Sequence, residues 1–134
     1  MNHQQAGRLR LSPAVTATGI DHVRLAYDYL DSDDVDGYGS LLDENVSLDR
    51  PDIPPARGRA EVIRMHLDRV VPRAHHRIER IVAEGDSVVA VGRLSQESGA
   101  RSYDRRGVGF VDVFTLSDEG MLLGCRRYYF TSPG

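Results

Sequence analysis

There is no lysine in this chain of 134 residues: all 17 basic side chains are arginine. That absence excludes Schiff-base catalysis, a pyridoxal-phosphate lysine and the lysine of a phosphate-binding loop. It also makes every buried cation a permanently charged, forked guanidinium suited to carboxylate or phosphate groups. Cysteine is nearly absent too. The single thiol, Cys125, excludes an internal disulfide framework and a clustered-cysteine zinc site, which fits a reducing compartment. No stretch reaches the ~18 consecutive apolar residues of a membrane span, and MNHQQAGRLRLSPAVTATG at the start lacks the continuous apolar segment of a secretory signal. The expectation is a soluble, cytoplasmic protein with no membrane partner. The net charge of −3 comes from interleaved acids and bases with no basic block, which argues against a nucleic-acid partner.

What is present suffices for one core and one domain, with 40% hydrophobic residues. Residues 1–18 are polar and aperiodic and read as an N-terminal arm, leaving residues 19–134 as a single domain. From Ile20, apolar Val23, Ala26, Tyr27 and Leu30 recur at three and four, marking a helix of about eleven residues. Val35, Tyr38, Leu41 and Leu42 mark a second, shorter one. In RAEVIRMHLDRVV the stripe is Ile63, Leu67 and Val70, with His66 inside it. NVSLD alternates as a strand, and the proline-rich RPDIPPARG reads as a rigid excursion that continues neither element. Strands follow in HRIERIVAE, SVVAVGRLSQ, GVGFVDVFTL and MLLGCRRYYF, with ESGARSYDRRG a polar connection between the second and third of these. Helices first and strands later is the α+β order: a curved, mostly antiparallel sheet wrapped around three N-terminal helices, forming a cone with a central pocket.

The acidic stretch LDSDDVDGYGSLLD invites a test as a calcium loop. With Gly37 at the sixth position, the ligand positions read Ser32, Asp34, Asp36 and Asp43, so the first acid is a serine and the bidentate glutamate is an aspartate. A strand and prolines follow where an exiting helix is required. The better reading is that Asp33 or Asp34 caps the second helix. His66, His75, His76 and Cys125 share no metal-ligand spacing, GVGFVD lacks the third glycine of a nucleotide fingerprint, and no serine sits in a G-x-S-x-G setting. No metal site is expected.

The last hairpin is more informative. Period-two alternation puts Val108, Phe110, Asp112, Phe114 and Leu116 on one face, with Asp112 the only charge. A four-residue turn at Ser117–Gly120 would pair Leu116 with Met121 and set Asp112 opposite Cys125. Arg127 would then lie one diagonal step away, on the same face as Tyr129, whereas a turn one residue shorter or longer would present Arg126 and Tyr128 instead. Apolar walls alone would raise the pKa of Asp112 and leave it a protonated donor; an adjacent Arg127 would make it half of an ion pair instead. Both readings stay open here. His66, which titrates near neutrality, is either a pocket acid or base or a core histidine.

These segments resemble the NTF2-like superfamily, especially its SnoaL-like polyketide cyclase and ketosteroid isomerase branches. The resemblance is carried by DVDGYGSLLDENVSLDRP, ARGRAEVIR, IVAEGDSVVAVGRL and VDVFTLSDEGMLLGCRRYYF, and spans Asp21 to Phe130. It implies a cone-shaped fold and a small enzyme without a cofactor. Such an enzyme would act by proton transfer, as cyclase, isomerase or dehydratase, on a polyketide-like or other carbonyl-rich molecule of natural-product or antibiotic biosynthesis. A binding or accessory protein of such a pathway is the alternative, and the charged, patch-free sequence offers no support for a protein-interaction module. A homodimer is also implied, through an outer sheet face on which Val111, Val113 and Leu122 read as apolar.

By the same resemblance, Asp112 falls where the isomerase branch has the protonated aspartate of its oxyanion hole. The isomerase's base aspartate reads Arg50, with Asp49 facing outward, and its oxyanion tyrosine falls near Ala26, beside Tyr27. The last-strand aspartate of the cyclase and epoxide hydrolase branches reads Arg127. The expected site thus has Asp112, His66 and Arg127 as catalytic groups and Arg50, Tyr27, Phe110 and Tyr129 as binding groups. Its two inward arginines favour an anionic or strongly hydrogen-bonding ligand.

Overall fold

Ser12 begins the first helix: its Oγ accepts the Val15 N–H at 3.2 Å, and Pro13 brings a φ already suited to a helix. This helix, α1, runs Pro13–Asp31, so it starts seven residues before Ile20 and takes in residues 13–18 of the expected arm. Gly19, which reads as a break in the sequence, is a point of contact. A Cβ there would collide with the side chain of Leu116, so its absence lets the helix lie close against the sheet. The computed structural model describes residues 11–95 and 107–130. The polar connection expected at 97–107 lies outside them except for Gly107.

Asp34 caps the short helix α2 (Val35–Gly39) by accepting the Gly37 N–H at 2.9 Å, which settles the acidic stretch as a helix start. β1 (Leu42–Asp49) follows, then β2 (Ala56–Arg57), a two-residue strand inside the proline-rich excursion, paired antiparallel to β1. Helix α3 spans Arg59–Leu67. Its buried face is Val62 and His66, one residue away from the expected stripe: Leu67 and Val70 are exposed. The helix stops at Leu67, and Arg69 takes a left-handed φ of 60°, so Val70 leaves the helical period. The strands β3 (His75–Glu84), β4 (Ser87–Ser95), β5 (Val108–Leu116) and β6 (Leu122–Phe130) complete the chain.

The six strands form one curved sheet in the order β2-β1-β6-β5-β4-β3, antiparallel except for β1 against β6. Irregular pairing between Ile78 and Arg80 in β3, and between Thr115 and Leu116 in β5, bends the ladder. A five-residue turn, 117–121, and the second irregularity together reset the last hairpin. Leu116 pairs with Leu122 and Asp112 with Arg127, so the two charged residues are direct cross-strand neighbours and Cys125 faces Phe114. The inner face carries Val88, Ala90, Phe110, Phe114 and Leu116 and packs against Val23, Ala26 and Tyr27 of α1. Leu122 belongs to this core, at 2% exposure, and is absent from the outer face. Among the described residues no helix is long and apolar enough to cross a membrane.

Candidate functional site

The final residue of α1 reaches the start of β3. Asp31 accepts the backbone N–H of His76 with both oxygens at 3.1 Å and the His76 ring at Nδ1 at 2.6 Å. A carboxylate at the negative end of a helix is disfavoured by the peptide dipoles, and these bonds offset that cost. Because Asp31 can only accept here, the ring proton sits on Nδ1 and Nε2 keeps its lone pair. Nε2 has no partner among the described residues. The imidazole is 8% exposed, packs 5.0 Å from the Tyr27 ring and 5.8 Å from the Phe110 ring, and lines a cavity. Burial lowers its pKa from the ordinary value near 6.5, the Asp31 bond opposes this without overcoming it, and the ring is neutral at pH 7.

On the sheet wall, Asp112 and Arg127 form a bidentate pair, Nε to Oδ1 and Nη2 to Oδ2, both at 2.7 Å. Tyr27 donates its hydroxyl to Oδ2 at 2.7 Å. Of the two readings left open by the sequence, the ion pair is the one observed. Arg127 resists deprotonation despite burial, because the Asp112 bonds outweigh desolvation. Its Nη1 has no partner among the described residues, so the buried guanidinium keeps donors for the cavity it lines. Phe110 takes a different place from the one expected. Wholly buried, it is not part of the cavity lining; it lies under the Arg127 guanidinium, 4.5 Å from ring centre to Cζ, and supports Arg127 and His76 from behind. Phe114 lines the cavity in its stead.

Arg50 follows β1 and turns inward, as expected, but arrives already paired. Asp52 accepts its Nε at 3.0 Å and its Nη2 at 2.7 Å, and Nη2 also donates to the Tyr129 hydroxyl at 2.8 Å. Asp49 faces the other way, toward Arg57 and Arg126. Tyr129 lines the cavity with its hydroxyl held between Arg50 and Asp52. At the rim, Asp33 and Arg69, both at a φ of 60°, are joined by bonds of 3.0 and 3.2 Å.

The helical wall is different. His66 of α3 donates Nδ1–H to the Val62 carbonyl at 3.0 Å, and its Nε2 has no partner among the described residues; burial is the main cause of its lowered pKa. Tyr38 of α2 stacks against it, ring centres 4.7 Å apart, and its hydroxyl has no partner among the described residues. An unmatched buried hydroxyl costs about 1–3 kcal/mol.

The cavity between these walls holds about 350 Å³, within the range of small-molecule sites. Leu30, Leu48, Val71 and Leu94 contribute apolar surface. Four guanidiniums line it beside three aspartates: Arg127 faces Asp112, Arg50 faces Asp52, and Arg69 and Arg73 share Asp33, at 3.0 and 3.9 Å. These carboxylates offset most of the positive charge behind the expected preference for an anion, and hydrogen-bonding capacity is what the wall offers most directly. Burial pushes the Cys125 thiol up, so it is no ready nucleophile. Sequence reasoning weighed His76 only as a metal ligand. The usable signal was its inward parity with Ile78 in β3; its partner Asp31 is 45 positions away.

Comparison with known proteins agrees with this architecture. No curated protein sequence matches the chain at a significant level. A structure from Kribbella flavida, named a candidate ketosteroid isomerase, superposes with a TM-score of 0.71 at 18% identity, covering 89% of this chain and 82% of that one. Bal32a, from a soil-derived mobile gene cassette, gives 0.71 at 21% identity, with 87% and 92% covered. A candidate polyketide cyclase from Sinorhizobium meliloti gives 0.66 at 14%, with 81% and 94% covered. At such identities the likeness is one of fold. Residues 23–122 match the sequence profile described as the SnoaL-like domain, and with the curved open sheet and its N-terminal helix this makes the chain a member of the SnoaL-like family of NTF2-like proteins.

Proposed function

We propose that this protein is a small enzyme, working without a cofactor, that moves a proton on an uncharged, carbonyl-rich small molecule, as a cyclase, isomerase or dehydratase. The observation that carries this reading is the Asp31–His76 pair beside the free donors of Arg127. His76 presents a neutral Nε2 lone pair, oriented by Asp31 through Nδ1, and is the base. The uncommitted Nη1 of Arg127 would hold the substrate carbonyl oxygen and stabilise the enolate as the proton leaves. Both groups flank Phe110, so base and electrophile share one support. In this reading Asp112 fixes Arg127 and Tyr27 and carries no proton itself, because its oxygens already accept three hydrogen bonds. Tyr129 and Arg50 close the wall on which the ligand rests. A polyketide-like substrate is consistent with the name of the Sinorhizobium meliloti structure, and another carbonyl-rich substrate with that of the Kribbella flavida structure. The single thiol favours a reducing, cytoplasmic setting.

The test is hydrogen exchange. In deuterated buffer with indanone, the wild-type protein should speed loss of the proton signal beside the carbonyl, and His76→Ala should slow it by about 100-fold or more. Wild-type protein that binds the ketone and exchanges nothing would instead be a ligand-holding accessory protein. That second reading is favoured by arginine at positions 50 and 127, where the family's acids are expected. No binding would overturn both.

We also propose a homodimer through the outer sheet face. Val82, Val89 and Val113 form one row across the strands there, and Val91, Val111 and Tyr128 another. A monomer mass by light scattering at micromolar concentration would exclude it.

A further inference from the structure

The mechanism above uses the sheet wall and leaves two polar atoms of the helical wall unexplained. We propose that Tyr38 and His66 form a second recognition point in the same cavity, one that takes a hydroxyl group of the ligand, so that the substrate is a hydroxylated carbonyl compound. This rests on the cavity being the ligand site, and it narrows the ligand class.

Both rings line the cavity, at 7% and 8% exposure, and they touch each other. Among the described residues neither is used elsewhere: the Tyr38 hydroxyl has no partner, and His66 spends only Nδ1, on Val62. Buried polar atoms are nearly always matched, so a pair left open on a cavity wall marks where a ligand atom belongs. The chemistry of the pair is specific. Burial keeps the phenol protonated, so Tyr38 donates. His66 can only accept, because its one proton is committed to the Val62 carbonyl. A group that satisfies both must accept from Tyr38 and donate to His66. Carbonyls, ethers and carboxylates only accept and ammonium groups only donate; a hydroxyl, phenol or enol does both. The sheet wall makes the opposite offer, since Arg127 supplies donors suited to a carbonyl oxygen. The two walls together ask for a molecule with a carbonyl at one place and a hydroxyl at another.

Calorimetric binding of indanone and its ring-hydroxylated isomers tests this. Wild-type protein should bind the best phenolic isomer at least about tenfold more tightly than indanone itself. Tyr38→Phe should abolish that preference while leaving indanone affinity unchanged and raising the melting temperature of the empty protein, because it deletes only an unmatched oxygen. His66→Phe, which removes the acceptor and keeps a ring, should also reduce the preference. Equal affinity for indanone and every isomer would overturn the proposal, as would a preference that survives Tyr38→Phe. A melting temperature lowered by several degrees in Tyr38→Phe would also overturn it, showing that the hydroxyl has a structural partner. If wild-type protein binds neither ketone nor phenol, the reading of the cavity itself fails. Ketone binding without hydroxyl preference refutes only this inference.

Discussion

The two walls of the cavity differ in how their polar atoms are satisfied. On the sheet wall Asp112, Arg127 and Tyr27 bind one another at 2.7 Å, and Phe110 backs the guanidinium. On the helical wall Tyr38 and His66 are just as buried and have spare donors and acceptors. The first arrangement is self-sufficient and should carry stability; the second leaves a cost in the empty protein that a ligand would remove. Polar groups in one cavity thus do different work, and substitutions should separate them.

The largest expected effect is on the sheet wall. Asp112→Ala strands a buried guanidinium and should lose about 3–5 kcal/mol of stability in urea unfolding, against no loss for Tyr38→Phe. Equal losses at the two sites would erase the contrast. Next comes Asp31→Asn, which weakens the hold on His76 without removing the base. It should slow ketone exchange about tenfold, less than His76→Ala does, and shift the acid limb of the pH–rate profile. An unchanged profile would separate Asp31 from the chemistry.

A third expectation concerns pH. His66 and His76 both have folded-state pKa values below their ordinary 6.5, chiefly because burial disfavours the cation. Between those values the unfolded chain binds more protons than the folded one, so stability rises with pH in that window. It is fully present above about pH 6.5 and falls as pH drops through the folded-state values. Denaturation midpoints at neutral and mildly acidic pH should show this, and a protein lacking both histidines should show a flatter profile. Exchange activity should be lost in the same direction, as His76 gains its proton. The smallest effect is expected at the exposed rim, where Asp33→Asn should leave stability within error of wild type: asparagine tolerates the left-handed φ and the ion pair it weakens is solvated.

Some of this was legible from periodicity. Alternation along GVGFVDVFTL identified Asp112 as an inward charge, and parity put Arg127 and Tyr129 on the same face. The register was offset by two: the turn takes five residues instead of four, an irregular pair after Thr115 leaves Leu123 without its own partner, and no composition signal announces such a bulge. Gly19 hid the first seven residues of α1, since a glycine chosen for close packing looks in one dimension like a break. Tyr38 read as one more apolar position in a stripe, and nothing local distinguishes a phenol with a partner from one without.

Local order therefore lay in the chain itself: helices before strands, one buried acid facing an arginine strand, no lysine and a single thiol. These follow from side-chain period and composition, which act over a few residues. The Asp31–His76 pair, the seating of Asp112 between Arg127 and Tyr27, and the open atoms of Tyr38 and His66 were decided by the curvature of the sheet around α1. They join groups 15 to 85 positions apart or leave them apart, and hydrogen bonding depends on distances that only the folded chain defines.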